Sequence, residues 1–135
     1  MKVMIVDDNP QMRSMIKSVL TKTAHSFHEC SDGGEAVKAF PLFRPDWTLM
    51  DIKMKEIDGL LATEAIKHSF PDAKVIIVTQ YDDPDLRAKA KRAGAVAYVL
   101  KENLMELQGI IQRTPPTPLG GSSTPDQLRK TGMME

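Results

Sequence analysis

Short strand-like runs alternate with stretches of helical periodicity five times along this chain. Residues 2–6, 26–30, 46–50, 74–78 and 97–100 are the runs, each brief enough for a strand and bounded by polar or turn-forming residues. Alternation of this kind predicts βα units around a parallel sheet, not a helical bundle or a β-sandwich.

The first helix has the clearest boundary. Asn9 can cap it, Pro10 suits its first position, and Met12, Met15, Ile16, Val19 and Leu20 recur on one face. A second helix follows Gly33-Gly34 with Ala36, Val37 and Phe40 inward. A third runs from about Asp58 to Ser69, anchored by Leu61, Ala65 and Phe70 and ended by Pro71. The fourth, Pro84 to Ala93, offers the core little beyond Leu86 and alanines, among Asp85, Arg87, Lys89, Lys91 and Arg92. At about 25 cal/mol per Å² of buried apolar surface an alanine contributes far less than a leucine, so this helix is expected to be among the easier elements to shift. The last helix places Leu104, Leu107, Ile110 and Ile111 on a stripe that reads as core packing, with a margin open to a partner.

From Thr114 onward the composition changes to Pro-Pro-Thr-Pro-Leu-Gly-Gly-Ser-Ser-Thr-Pro, too poor in large apolar groups to offset the entropy of ordering. The predicted division is a folded unit at 1–113 and a flexible tail or linker at 114–135. A chain of 135 residues suits one domain with a single core. Eighteen basic residues balance eighteen acidic ones, so the basic footprint of a nucleic-acid binder is missing and no direct nucleic-acid contact is expected. The one cysteine, Cys30, excludes an internal disulfide and reads as a buried structural thiol at a strand end. No apolar run reaches membrane-spanning length and the first residues do not form a signal sequence, so the expectation is a cytoplasmic protein without membrane contact.

The chemistry is concentrated where the strands stop. Met4-Ile5-Val6 halts at Asp7-Asp8, residues 46–50 halt at Asp51, Val75 to Val78 halts at Thr79, and Ala97 to Leu100 halts at Lys101. In a singly alternating parallel sheet these ends converge where the strand order reverses, and ligands bind in that crevice. Asp7, Asp8 and Asp51 so close together need either a protonated member with a raised pKa or a divalent cation. Oxygen-only ligation favours magnesium or manganese over zinc. Thr79 and Lys101 are out of place as metal ligands but suit a group with several anionic oxygens. A phosphoryl group on one carboxylate satisfies every member together. Singly, each piece has an ordinary explanation: a helix cap, a solvated lysine, a β-prone threonine. Their order and separations favour the joint reading.

Asp7-Asp8, Asp51-Ile52-Lys53-Met54 with Asp58-Gly59 following, Thr79, Ala93-Gly94-Ala95 and Tyr98-Val99-Leu100-Lys101 together resemble a response-regulator receiver domain of CheY-like fold over about residues 1–112. The runs 51–54 and 98–102 are most similar to receivers of NarL/FixJ-type two-component regulators. The resemblance implies a flavodoxin-like (βα)5 three-layer α/β sandwich with a parallel sheet of strand order 2-1-3-4-5. It also implies Asp51 as phosphoacceptor, served by a histidine kinase, a phosphotransfer protein or a small phosphodonor. Asp8 and Asp51 would bind magnesium directly, Asp7 through water and Lys53 through its backbone carbonyl. Lys101 would pair with the phosphoryl oxygens, Thr79 would move to bond one of them, and Tyr98 would be the rotameric switch. The surface of the fourth helix, fifth strand and fifth helix would then change, for partner binding or homodimerisation.

The sequence departs from the family pattern at three places. Glu102 follows Lys101 where many receivers have a cis proline, which predicts a differently built turn. Lys55 replaces a common proline, and Gln80 stands where a small residue usually follows the threonine and could crowd the pocket; with Lys53 and Tyr81 it is expected to tune self-dephosphorylation. Other classes stay in view. An aspartate-nucleophile phosphohydrolase would want a second carboxylate two residues after the nucleophile, where this chain has Lys53. A phosphorylation-independent interaction module would keep the fold without the switch. The output is open between a stand-alone receiver and the receiver part of a DNA-binding transcriptional regulator.

Overall fold

The computed structural model describes residues 1–54 and 58–114. Its strands are β1 (Lys2–Val6), β2 (Ser26–Cys30), β3 (Trp47–Met50), β4 (Val75–Thr79) and β5 (Ala97–Leu100). They are joined by α1 (Pro10–Val19), α2 (Gly33–Phe43), α3 (Gly59–Ser69) and α4 (Pro84–Ala93), with α5 (Glu106–Arg113) closing the unit after a short 3-10 turn at Lys101–Asn103. All pairings are parallel and the strand order is β2-β1-β3-β4-β5. This is the flavodoxin-like arrangement expected from the sequence, in three layers.

Successive residues of the central strands face opposite sides, so both faces of β1, β3 and β4 are buried and their sequences read as continuous apolar runs. Val3, Ile5, Trp47, Leu49, Ile76, Val78 and Val99 meet Ile16 and Leu20 near α1, and Leu107 and Ile111 of α5. Met4, Val6, Met50, Val75 and Ile77 meet Ala36 and Phe40 of α2, Ala62 and Ile66 of α3 and Ala90 of α4. Leu104 completes the predicted α5 stripe from the turn before the helix, and Ile110 packs at its margin. On α4 the inward residues are Ala90 and Ala93, with Leu86 half-buried.

Asn9 caps the start of α1 as expected, and Asp58 and Asp83, not singled out as caps in the sequence, do the same for α3 and α4. The Asn9 side chain accepts the N–H groups of Gln11 and Met12, Asp58 accepts those of Leu60 and Leu61, and Asp83 accepts those of Asp85 and Leu86. Two inward faces differ from expectation. On α3, Leu61 and Ala65 are exposed, and Gly59, Ala62, Thr63 and Ile66 face the sheet. The cause is at the helix start: a Cβ on Gly59 would lie 1.8 Å from the Asp51 carbonyl oxygen, so this residue must face β3, and its i+3, i+4 and i+7 neighbours follow it inward. On α1, Met15 is exposed because it sits about 100° round the helix from the buried Ile16.

Cys30 is a free, buried thiol, pushed up to about 12 by burial and by the nearby Glu35 and Asp32 carboxylates. Among the described residues no peptide bond is cis, so the turn at Lys101 and Glu102 is built without that bond. No described helix is long and apolar enough to cross a membrane. Lys55 and residues 115–135 of the predicted tail lie outside the described residues.

Candidate functional site: the carboxyl-terminal rim of the sheet

Strand register brings the candidate residues together. Val6 is level with Met50 and Thr79 with Leu100, so Asp7 and Asp51 leave β1 and β3 side by side, and Lys101 comes one step beyond Thr79. One more backbone rung pins each acid: Asp7 N–H donates to the Cys30 carbonyl (3.0 Å) and Asp51 N–H to the Val6 carbonyl (2.9 Å). Both residues are buried, at 1% and 5% exposure, whereas Asp8 is exposed.

Each buried carboxylate has one oxygen occupied locally. Asp7 Oδ1 accepts the Asn9 N–H (2.9 Å) and Asp51 Oδ1 accepts the Ile52 N–H (2.9 Å). The other two oxygens converge on one ammonium: Lys101 Nζ is 2.9 Å from Asp7 Oδ2 and 3.2 Å from Asp51 Oδ2. The contact to Asp51 has hydrogen-bond geometry. The contact to Asp7 is an ion pair by distance alone, which leaves the buried Asp7 Oδ2 without a hydrogen-bond partner.

The electrostatics follow from this crowding. Burial, and then the charge of Asp7, raise the Asp51 carboxyl to about 6, with Lys101 pulling the other way. Burial opposes the Lys101 charge, but the Asp7 and Asp51 carboxylates outweigh it and hold the ammonium above the ordinary lysine range. Carboxylate oxygens of Asp7, Asp8 and Asp51 all lie within 4.8 Å of one another. An oxygen-only set with a buried, hydrogen-bond-free member fits a hard divalent cation.

Thr79 is fully buried, and its Oγ1 accepts the Tyr81 N–H at 3.4 Å, a long bond. Tyr98 is half-buried on β5; its hydroxyl donates to the Tyr81 carbonyl (2.6 Å), and the Arg87 guanidinium lies over its ring at 4.6 Å. Tyr81 therefore joins both candidate switch residues through its own backbone. Lys53 extends over the Tyr81 ring at 5.5 Å. Gln80 is exposed. A cavity of about 890 Å³ lies at the opposite rim, lined by Phe40, Arg44, Phe70 and Lys74 among others, and shares no residue with the acidic site.

Sequence reading missed two contributors. Gly59 appears in it only as part of a motif, although its lack of a Cβ lets α3 close onto Asp51 and its N–H donates to the Ile52 carbonyl (2.9 Å). Arg13 had no signal: its role depends on a backbone carbonyl that no side-chain pattern reveals, since its Nη1 donates to the Asp7 carbonyl at 2.6 Å.

The model of the response regulator receiver domain matches residues 3–112, and the chain belongs to that family. It is 36% identical over 104 residues to the oxygen regulatory protein NreC of Staphylococcus haemolyticus, covering 75% of this chain and 48% of that protein. It is 35% identical over 101 residues to the chemotaxis protein CheY of Thermotoga maritima, covering 74% and 84%. The chain thus spans about half the length of NreC and most of CheY. A LuxR-family two-component response regulator from Aurantimonas sp. SI85-9A1 superposes with a TM-score of 0.77 at 29% identity, covering 83% of this chain and 82% of that one. The protein is accordingly a receiver domain of two-component signalling, a class that carries signals and does not in the main turn over a substrate.

Proposed function

We propose that Asp51 accepts a phosphoryl group, from a phosphohistidine on a partner kinase or phosphotransfer protein or from a small acyl phosphate. The observation that carries this reading is the single Lys101 ammonium set between the buried Asp7 and Asp51 carboxylates. In the transfer, an Asp51 carboxylate oxygen forms the new bond to phosphorus as the bond to the donor's nitrogen or oxygen breaks, and the electron pair leaves with the donor. An acceptor titrating near 6 is mostly ionised at neutral pH and is a stronger nucleophile than an ordinary aspartate.

Lys101 is placed to neutralise the arriving phosphoryl oxygens, and the Thr79 hydroxyl, held only by a long bond, is free to turn and donate to one of them. Asp8 and Asp51 directly, Asp7 through water and Lys53 through its backbone carbonyl would hold magnesium, with manganese as a substitute. Bound there, the metal supplies charge neutralisation for the transferring group. Three carboxylates and one ammonium leave two net negative charges, which a divalent cation offsets.

The output follows from Tyr98. Withdrawal of Thr79 from the Tyr81 N–H loosens the loop whose carbonyl holds the Tyr98 hydroxyl, and the ring moves inward; the surface of α4, β5 and α5 changes for a protein partner or a second copy. Working units of 1–113 as receiver and 114–135 as tail or linker, in the cytoplasm, complete the proposal. The same unit serves equally as a stand-alone receiver or as the receiver part of a transcriptional regulator.

The test is intact mass after incubation with acetyl phosphate, with and without magnesium, for wild type and Asp51→Asn. A single magnesium-dependent phosphoryl adduct, missing from the variant, is expected. An adduct that persists at the same site in Asp51→Asn overturns the assignment, and a wild type that binds magnesium yet never gains one overturns the small acyl phosphate as donor.

A further inference from the structure

Arg13 reaches back from α1 to the strand tips. Its Nη1 donates to the Asp7 main-chain carbonyl at 2.6 Å, and its Nε donates to Glu29 Oε1 on β2 at 2.8 Å. Lys17, one turn further along α1, donates to Glu29 Oε2 at 2.9 Å. The Arg13 side chain is only 17% exposed, and the two cations hold the Glu29 carboxyl below the usual carboxylate range, Lys17 more strongly than Arg13. Arg13 thus has a fixed anchor on one side and a backbone carbonyl on the other.

That carbonyl belongs to the peptide plane joining Asp7 to Asp8. It lies beyond the end of β1, where the ladder no longer fixes it. Among the described residues no hydrogen bond or ion pair holds the Asp8 carboxylate, so its Cα–Cβ direction is set by its backbone, which the Asn9 N–H bond to Asp7 Oδ1 and the Arg13 contact hold together. We infer that Arg13 is a positioning residue for the cation site: by clamping the Asp7–Asp8 peptide to Glu29, it aims the Asp8 carboxylate toward Asp7 and Asp51.

The inference rests on the magnesium reading above and has a sign that separates it from simple electrostatics. Arg13 is itself a cation close to a cation site. By Coulomb's law alone its removal favours a bound cation, whereas loss of the clamp weakens binding. Magnesium chloride titrated into the full chain by calorimetry distinguishes the two, with wild type, Arg13→Ala, Arg13→Lys and Asp8→Ala compared and thermal melts run in parallel. Arg13→Ala is expected to weaken magnesium binding about tenfold, as outer partners of metal ligands commonly do. Arg13→Lys, with its charge kept and its fork lost, is expected to fall between the two, and Asp8→Ala to bind weakest. If Arg13→Ala does not melt cooperatively, Arg13→Lys decides, because charge alone predicts no change for it. Magnesium affinity that is unchanged or tighter in a folded Arg13 variant overturns the clamp and leaves the acceptor assignment standing. A wild type that binds no magnesium overturns both.

Discussion

At the amino-terminal rim of the sheet three cations each lie over an aromatic ring, Lys2 over Phe43, Arg44 over Phe70 and Lys74 over Trp47; at the carboxyl-terminal rim one ammonium is divided between two buried carboxylates. The acids near the first rim, Asp46 and Asp72, are exposed, while Asp7 and Asp51 at the second are not. The first arrangement leaves each charge partly hydrated and asks little of its neighbours. The second removes carboxylates from water with less counter-charge than they need. The residue types are common to both ends; burial is what sets the two apart.

Removing the shared cation tests this contrast hardest. Lys101→Met should lower stability at pH 7.5 by about 3 kcal/mol in urea unfolding, because two buried carboxylates lose their partner, and the deficit should shrink toward pH 5 as a proton replaces the ammonium. A loss no larger than that of a surface lysine would erase the distinction between the rims.

Neutralising Asp51 should act in the opposite direction. In the folded chain Asp51 titrates near 6, above its ordinary 3.8, so between those values the folded state holds more protons than the unfolded one. Stability from this residue therefore falls as pH rises through that window, and the deficit is complete above it. Asp51→Asn avoids the deficit and should gain about 2 kcal/mol near pH 8, with the gain fading toward pH 4, as read from melts across that range. Parallel pH profiles for the two proteins would show that Asp51 is not strained by its surroundings.

The smallest effect belongs to the other rim. Lys74→Met keeps the stem over Trp47 and loses the cation–π contact and the attraction to Asp46, while the burial cost of the ammonium goes too, so unfolding should shift by less than about 1 kcal/mol. The difference should be flat between pH 5 and 8. A marked pH dependence there would mean that the amino-terminal rim also holds a titrating network.

Much of this was legible in the chain because strand ends and caps are local. Asp7, Asp51, Thr79 and Lys101 each close an apolar run, and a parallel sheet turns that one-dimensional coincidence into a cluster. The helix faces were harder. Leu61 and Ala65 form as good an i, i+4 pair as Ala62 and Ile66, and nothing local says which faces the sheet; the choice is made by Gly59 touching a backbone oxygen of another element. The Arg13 contact was invisible for the same reason, since its acceptor is main chain. Long-range contacts to backbone atoms leave no mark in side-chain periodicity.

The fit of Gly59 against Asp51 has a mechanical consequence. With a carbonyl where a Cβ would go and the Ile52 carbonyl taking the Gly59 N–H, the start of α3 sits directly on the Asp51 backbone and has no room to move closer. Opposite it, Thr79 and the Tyr81 backbone are joined by a 3.4 Å contact that stretches readily. Under the phosphoryl acceptance proposed for Asp51, the weakly held Thr79 side is expected to yield before the Gly59 side does.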